Sequence, residues 1–157
     1  MSLNQTQMQT LASALRAETN VNVVAAMSVR NDVFLTQWCN TAGSSDAWNP
    51  AMDSKSLFEA SDITKFDNLT AGKRDAWRVM LDFAPIDFSR NKMQKAAKDI
   101  WGVADSVAVL QACVRKATNG EAYLGGTSAT ENTVTALKLS VPGNLSLDDI
   151  SNSLNAY

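Results

Sequence analysis

Thr135-Ala136-Leu137-Lys138-Leu139-Ser140-Val141 is the stretch on which the reading of this chain turns. Leu137, Leu139 and Val141 fall on one face and Lys138 and Ser140 on the other, the two-residue alternation of a half-buried β-strand. Gly125-Gly126 lies upstream and Pro142-Gly143 closes the stretch. A single strand cannot satisfy its own backbone donors and acceptors, so it must pair. No second run shows comparable alternation. Its partner is therefore a segment of the same chain, near Asp53 to Phe58 or within residues 127–133, or the edge of another copy; the sequence leaves both open.

The rest of the chain has helical spacing. Met8, Leu11 and Leu15 define a first helix over residues 4–16. Thr19-Asn20 offers a cap for a second helix with an apolar face of Val21, Val24 and Met27, and Asn31-Asp32 a cap for a segment carrying Phe34, Leu35, Trp38 and Cys39. Residues 41–46 end that segment. Asp53 or Ser54 caps a short helix through Ala60, in an irregular stretch that carries Trp48, Phe58 and Phe66, either as anchors to the core or as exposed recognition aromatics. Thr70 starts a helix that Pro85 stops, and Ser89 caps the next, which Gly102 ends. From Asp105, Val107, Leu110, Val114, Ala117 and Leu124 keep three- and four-residue steps if Glu121 is skipped, which predicts one long helix up to Gly125. Ser146 and Asp149 form a capping box for a final helix with Leu147, Ile150 and Leu154 on its apolar face.

The fold expected from this pattern is mainly α, a helical bundle with one or two short β-strands in a C-terminal arm. Residues 1–126 form the helical core domain. Residues 127–157 form the arm (loop, strand and short helix), part of the same domain or an extension used in assembly.

With 157 residues, 45% of them hydrophobic and 19% charged, the chain can bury a substantial core, so wholesale disorder is not expected. A net charge of -2 argues against general nucleic-acid binding, although a local basic face is compatible with it. No apolar run reaches the roughly 20 residues of a membrane span, so no membrane partner is expected. The first residues have neither a basic nor an apolar signal region, so synthesis in the cytoplasm is expected.

The chain has no histidine, which removes Ser-His-Asp and Cys-His arrangements and the usual general base near neutral pH. Cys39 and Cys113 read as buried free thiols, and two thiols cannot build a four-thiolate metal site. No phosphate-binding glycine motif is present. Asp148-Asp149 lies in the first turn of a predicted helix, where acidic residues favour the helix dipole. Neither catalytic, cofactor-binding nor metal-ligating residues are expected, and no enzyme.

Two candidate contact surfaces remain. Val134, Leu137, Leu139 and Val141 of the strand, with Leu147, Ile150 and Leu154 of the last helix, would form a protein interface if the arm adds a strand to a neighbour. Arg90, Lys92, Lys95 and Lys98 make a basic helix face, either solvated or a site of electrostatic contact.

At the level of whole segments the chain resembles small virion proteins from the head-and-tail modules of tailed bacteriophages. The segments are Leu35-Thr36-Gln37-Trp38-Cys39-Asn40, Arg74-Asp75-Ala76-Trp77-Arg78 and Ile86-Asp87-Phe88-Ser89-Arg90-Asn91. Two more are Arg115-Lys116-Ala117-Thr118-Asn119-Gly120-Glu121-Ala122 and Gly143-Asn144-Leu145-Ser146-Leu147-Asp148-Asp149-Ile150. The resemblance implies a head–tail connector, a ring-forming adaptor between portal and tail. Its partners would be copies of itself, portal or tail proteins, and DNA passing nearby without sequence readout. Alternatives are a tail-completion or tube-associated tail protein, and a regulatory binding protein outside virions.

Overall fold

The computed structural model describes residues 2–157. In chain order the elements are α1 (Gln5–Ala17), α2 (Val21–Ser28), α3 (Asp32–Cys39), β1 (Ala42–Trp48), α4 (Ser54–Ala60), α5 (Ile63–Asp67) and α6 (Ala71–Asp82). There follow α7 (Asn91–Ala112), β2 (Val114–Thr118), α8 (Asn119–Leu124), β3 (Gly126–Glu131), β4 (Val134–Leu139) and α9 (Leu147–Ala156).

The mainly helical bundle with one or two strands is not what forms: four strands make one sheet in the order β2-β1-β4-β3. β1 runs parallel to β4, with Ala47 opposite Leu137. At the ends of the β1–β2 pair, the Asn119 N–H donates to the Thr41 carbonyl and the Asn49 N–H to the Cys113 carbonyl. Residue numbers fall along one strand as they rise along the other, so these two are antiparallel. β3 and β4 are joined by Asn132-Thr133 alone, with Asn132 at φ 57°, the short left-handed turn that suits a hairpin.

Each missed strand has a physical reason. β1, Ala-Gly-Ser-Ser-Asp-Ala-Trp, lacks β-branched residues and takes its conformation from pairing on both sides rather than from propensity. β3, Gly-Thr-Ser-Ala-Thr-Glu, has no large apolar residue to alternate and so reads as a polar loop; at the edge of the sheet it is held by β4 alone. β2 contains Val114 and Ala117 three residues apart, which mimics helical spacing. The expected long helix therefore stops at Ala112, and α8 is a separate helix with its own cap. α7 is two helices joined at Gly102, whose φ of 81° is non-helical and ends the first of them where the sequence placed its stop. Arg90, not Ser89, is the N-cap residue of α7, and Ser89 instead donates its backbone N–H and hydroxyl to Asp87.

The chain divides into two compact units. The first comprises residues up to Ser45, with Lys116–Gly126 and Leu139–Tyr157. Its core gathers Leu11 and Leu15 from α1, Val23 from α2, Leu35 and Cys39 from α3, and Ile150 and Leu154 from α9. Burying each large aliphatic side chain contributes about 2 kcal/mol. Asn4, Asn20 and Asn31 cap α1, α2 and α3, and Ser146 with Asp149 forms the expected capping box on α9. Asp149 also accepts the Leu3 N–H at 3.4 Å. At the other end of α9, Arg30 reaches Asn155 Oδ1 at 3.0 Å, and Ser151 donates to Asp32 at 2.8 Å.

The second unit comprises Asp46–Arg115 and Thr127–Lys138. Its core is built around Trp48, Leu57, Trp77, Phe88, Trp101 and Leu110. Trp77 and Trp101 meet edge to face with centroids 5.4 Å apart, an arrangement worth about 1 kcal/mol beyond area burial. Trp48 donates to the Ala129 carbonyl at 3.1 Å and Trp77 to Ser61 Oγ at 3.1 Å. The hairpin turn is held by Asn132, whose side-chain amide donates to the Val103 carbonyl and to Ser106 Oγ.

Candidate interaction surfaces

β4 lies between β1 and β3, so both of its hydrogen-bonding edges are taken within the chain. Val134 belongs to the core of the second unit, and Val141, Ile150 and Leu154 to that of the first. Leu139 is buried, Leu137 half-buried, and Leu147 exposed. Of the seven residues expected at a protein interface, Leu147 is exposed, Leu137 is half-buried, and the other five are buried within the chain.

The basic helix face is partly neutralised. Lys95 pairs with Asp99 at 3.0 Å and Lys98 with Glu131 at 3.2 Å, leaving Arg90 and Lys92 as exposed cations at the start of α7. Exposed pairs of this kind contribute at most about 1 kcal/mol each, but they lower the local positive potential that would attract phosphates.

Two apolar surfaces that sequence reasoning missed are exposed. In the first unit, α2 buries Val23 and Ala26 and turns Val21 (77% exposed) and Val24 (51%) to solvent, with Val29 and Val33 beyond them. Of the expected apolar face, Met27 packs on the core while Val21 and Val24 face solvent. Nearly every position of Val-Asn-Val-Val-Ala-Ala-Met is apolar, so spacing alone could not choose the buried side.

In the second unit, Phe58, Ile63, Phe66, Trp77 and Leu81, with Arg78, line a groove of about 250 Å³ on α4, α5 and α6. Phe58 and Ile63 are each 59% exposed. Phe66 packs toward Trp101, as expected of an anchor, whereas Phe58 does not join the core. The Arg78 guanidinium lies 5.6 Å from the centre of the Phe66 ring, within cation–π range. Val79 and the highly exposed Phe83 lie on a different face of α6 and at its end. A cluster of large exposed apolar side chains, unlike a scattered one, marks a contact surface.

Beside the α2 ridge runs a polar chain. Trp38 Nε1 donates to the Tyr123 hydroxyl at 2.9 Å, and that hydroxyl donates to Glu18. The hydrogen bond from Tyr123, then those from the Asn20 and Thr19 N–H groups, hold the Glu18 carboxyl below its ordinary value. Burial first, and the Glu18 carboxylate second, push Tyr123 up to about 12. The same burial pushes each of Cys39 and Cys113 up to about 12, so both are protonated at neutral pH and poor nucleophiles.

Among the described residues no His, Cys, Asp and Glu side chains group as a metal site, and no helix is long and apolar enough to cross a membrane. No protein-family model, no curated protein and no solved structure matches the chain.

Proposed function

We propose that this chain is a structural virion protein of a tailed bacteriophage, a ring-forming head–tail connector between portal and tail that works through contacts rather than catalysis. The observation that carries the assembly reading is the presence of two separate exposed apolar surfaces on one chain, the α2 ridge and the α4–α6 groove. A subunit that touches a neighbour on each side needs two such surfaces. Placement in a virion is supported by the segment resemblance, whose strings include Arg74-Asp75-Ala76-Trp77-Arg78 on α6. DNA in the channel of such a ring would be a neighbour and not a ligand, in keeping with a net charge of -2.

The test is a mass-spectrometric inventory of separated heads and tails, together with negative-stain images of the protein mixed with portal. Recovery with the neck and ring-decorated portals are expected. Recovery in tails alone would favour a tail-completion or tube-associated role, and a protein missing from purified particles would overturn the virion reading.

A further inference from the structure

We propose that β3 is an edge by which two copies of this chain pair, antiparallel and about a two-fold axis at Ala129, an inference that goes beyond the connector reading and does not depend on it. In the order β2-β1-β4-β3, β3 has β4 on one side and no strand on the other. Its register on β4 is fixed at two points: Thr130 Oγ1 lies 2.7 Å from Thr135 Oγ1, and the Ser140 N–H donates to the Gly125 carbonyl at 3.0 Å. Residues 127, 129 and 131 therefore bond to β4, and the N–H and C=O groups of Ser128 and Thr130 point the other way. Both residues are exposed, and among the described residues no backbone group bonds to that outer side. Natural edges are commonly guarded by lysine or proline; β3 has neither, and no large side chain stands in the way.

Such an edge accepts another extended backbone, which offers donors and acceptors at matching steps. Charge points to a second copy of β3. Opposite Thr127 on β4 stands Lys138, exposed and in no ion pair among the described residues. In an antiparallel pair centred on Ala129, Ser128 of each copy faces Thr130 of the other and exchanges both backbone bonds with it. The second copy's Glu131 then faces Thr127, one short side chain from Lys138 on the same face, and the two-fold axis repeats the match. Glu131 already accepts Lys98 at 3.2 Å, but a carboxylate has two oxygens and can serve both cations. The open cavity at the Lys138 end, about 530 Å³, is lined by Asn91, residues 127–130 and Lys138, with no acidic side chain among them. Arg90 and Lys92, exposed on either side of Asn91, add positive charge there, and Asp87 is engaged by Ser89. A parallel pairing in register would instead set Glu131 against Glu131. Because the strand meets itself, the contact is isologous and closes at two copies, apart from the contacts a ring would use. So short an edge falls below the roughly 800 Å² per partner of a standard stable interface, so pairing is weak and depends on concentration.

Disulfide cross-linking of the full chain tests this, with Ala129→Cys and Thr127→Cys compared under mild oxidation over a concentration series. Across the axis the two Ala129 Cα atoms would stand about 4.5 Å apart, as in any non-hydrogen-bonded antiparallel pair, which is within disulfide range. The two Thr127 Cα atoms would be about 14 Å apart, out of reach. The native thiols, Cys39 and Cys113, are buried. Ala129→Cys should give a cross-linked dimer and Thr127→Cys none. Adding Ser128→Pro removes an outward N–H without touching the bonds to β4 and should lower the yield about tenfold or more. Lys138→Glu should lower it too, and Val24→Glu should leave it unchanged. In the wild type, which needs no variant to fold, the Ser128 and Thr130 amides should exchange more slowly as concentration rises. Absence of the Ala129→Cys dimer, a dimer from Thr127→Cys in its place, or a yield that neither Ser128→Pro nor Lys138→Glu lowers overturns the pairing. So does amide exchange at Ser128 and Thr130 that ignores concentration. Each of these results leaves the virion reading to be decided by the particle inventory.

Discussion

Gly120 and Gly72 both lie in helices, and replacing each with alanine should shift stability in opposite directions. Helix propensity alone favours alanine over glycine by up to about 1 kcal/mol at either site. At Gly72, in the first turn of α6, an added Cβ would meet no heavy atom within 4 Å, so Gly72→Ala should be stabilising by a few tenths to about 1 kcal/mol. At Gly120, at the start of α8, the same Cβ would stand 2.7 Å from Leu145 Cδ1, 3.1 Å from the Cys39 carbonyl oxygen and 3.2 Å from Cys39 Cβ. Leu145 can rotate, but the Cys39 backbone at the end of α3 cannot move without shifting that helix. Overpacking costs about 1–3 kcal/mol, and subtracting a propensity gain of about 1 kcal/mol leaves Gly120→Ala destabilising by up to about 2 kcal/mol.

Urea unfolding followed by tryptophan fluorescence measures both variants, with Leu145→Ala and the double variant completing a cycle. If Leu145 carries the whole clash, the Gly120→Ala penalty vanishes in the Leu145→Ala background. If the Cys39 backbone, 3.1 Å from the added Cβ, carries part of it, a penalty persists there. A Gly120→Ala protein as stable as the wild type, or more so, would refute the close packing of α8 on α3.

Further expectations can be measured. Glu121 is buried, accepts the Thr118 N–H at 2.8 Å and the Gly143 N–H at 2.6 Å, and completes the capping box of α8; Glu121→Gln should cost about 2 kcal/mol in urea unfolding, because an amide cannot accept both bonds. Glu18 has its carboxyl value lowered in the folded state from 4.5, so its contribution is present above that value and lost as pH falls through the lower folded value. Tyr123→Phe should flatten the acid side of the stability profile below about pH 4.5. Tyr123 has its value raised from 10.0 to about 12, so its contribution is complete below pH 10 and lost as pH rises toward 12; the same variant should remove that alkaline loss. Cys39 and Cys113 should resist a thiol-specific reagent at neutral pH until denaturant is added, and rapid labelling of either in the native protein would contradict their burial.

Much of the local structure was legible because capping chemistry is short-range. Asn20, Asn31, Asp53, Thr70 and the Ser146–Asp149 box all cap the helices expected of them. Thr118-Asn119-Gly120-Glu121 carries the same signature, and it marks the start of α8 that an unbroken helix passed over. Skipping Glu121 to preserve the apolar spacing discarded the residue that disproves the long helix. β1 and β3 were not legible at all, since their conformation comes from neighbours distant in sequence. The exposed side of α2 was hidden for a different reason: a helix apolar nearly all round gives no phase.

The strand of residues 134–139 shows how a correctly read element can be given a use that its pairing does not favour. Its alternation was read from Leu137, Leu139 and Val141, yet Val134 and Ala136 on the opposite face are buried too. A strand buried on both faces and paired on both edges is interior, and interior strands are not donated to neighbours without dismantling the sheet. The apolar residues that complete a monomer's core are unavailable to a partner, so an assembly surface has to be sought among those the fold leaves uncovered. In the proposed assembly, that reasoning makes Val21, Val24, Phe58 and Ile63, which one copy leaves exposed, the first residues to test. It also sets an order of effects: glutamate at Val24 or Ile63 should weaken association with little change in folding. Glutamate at Val134 or Ile150 should unfold the unit that buries it before association can be measured. The opposite ranking would return the interface to the arm.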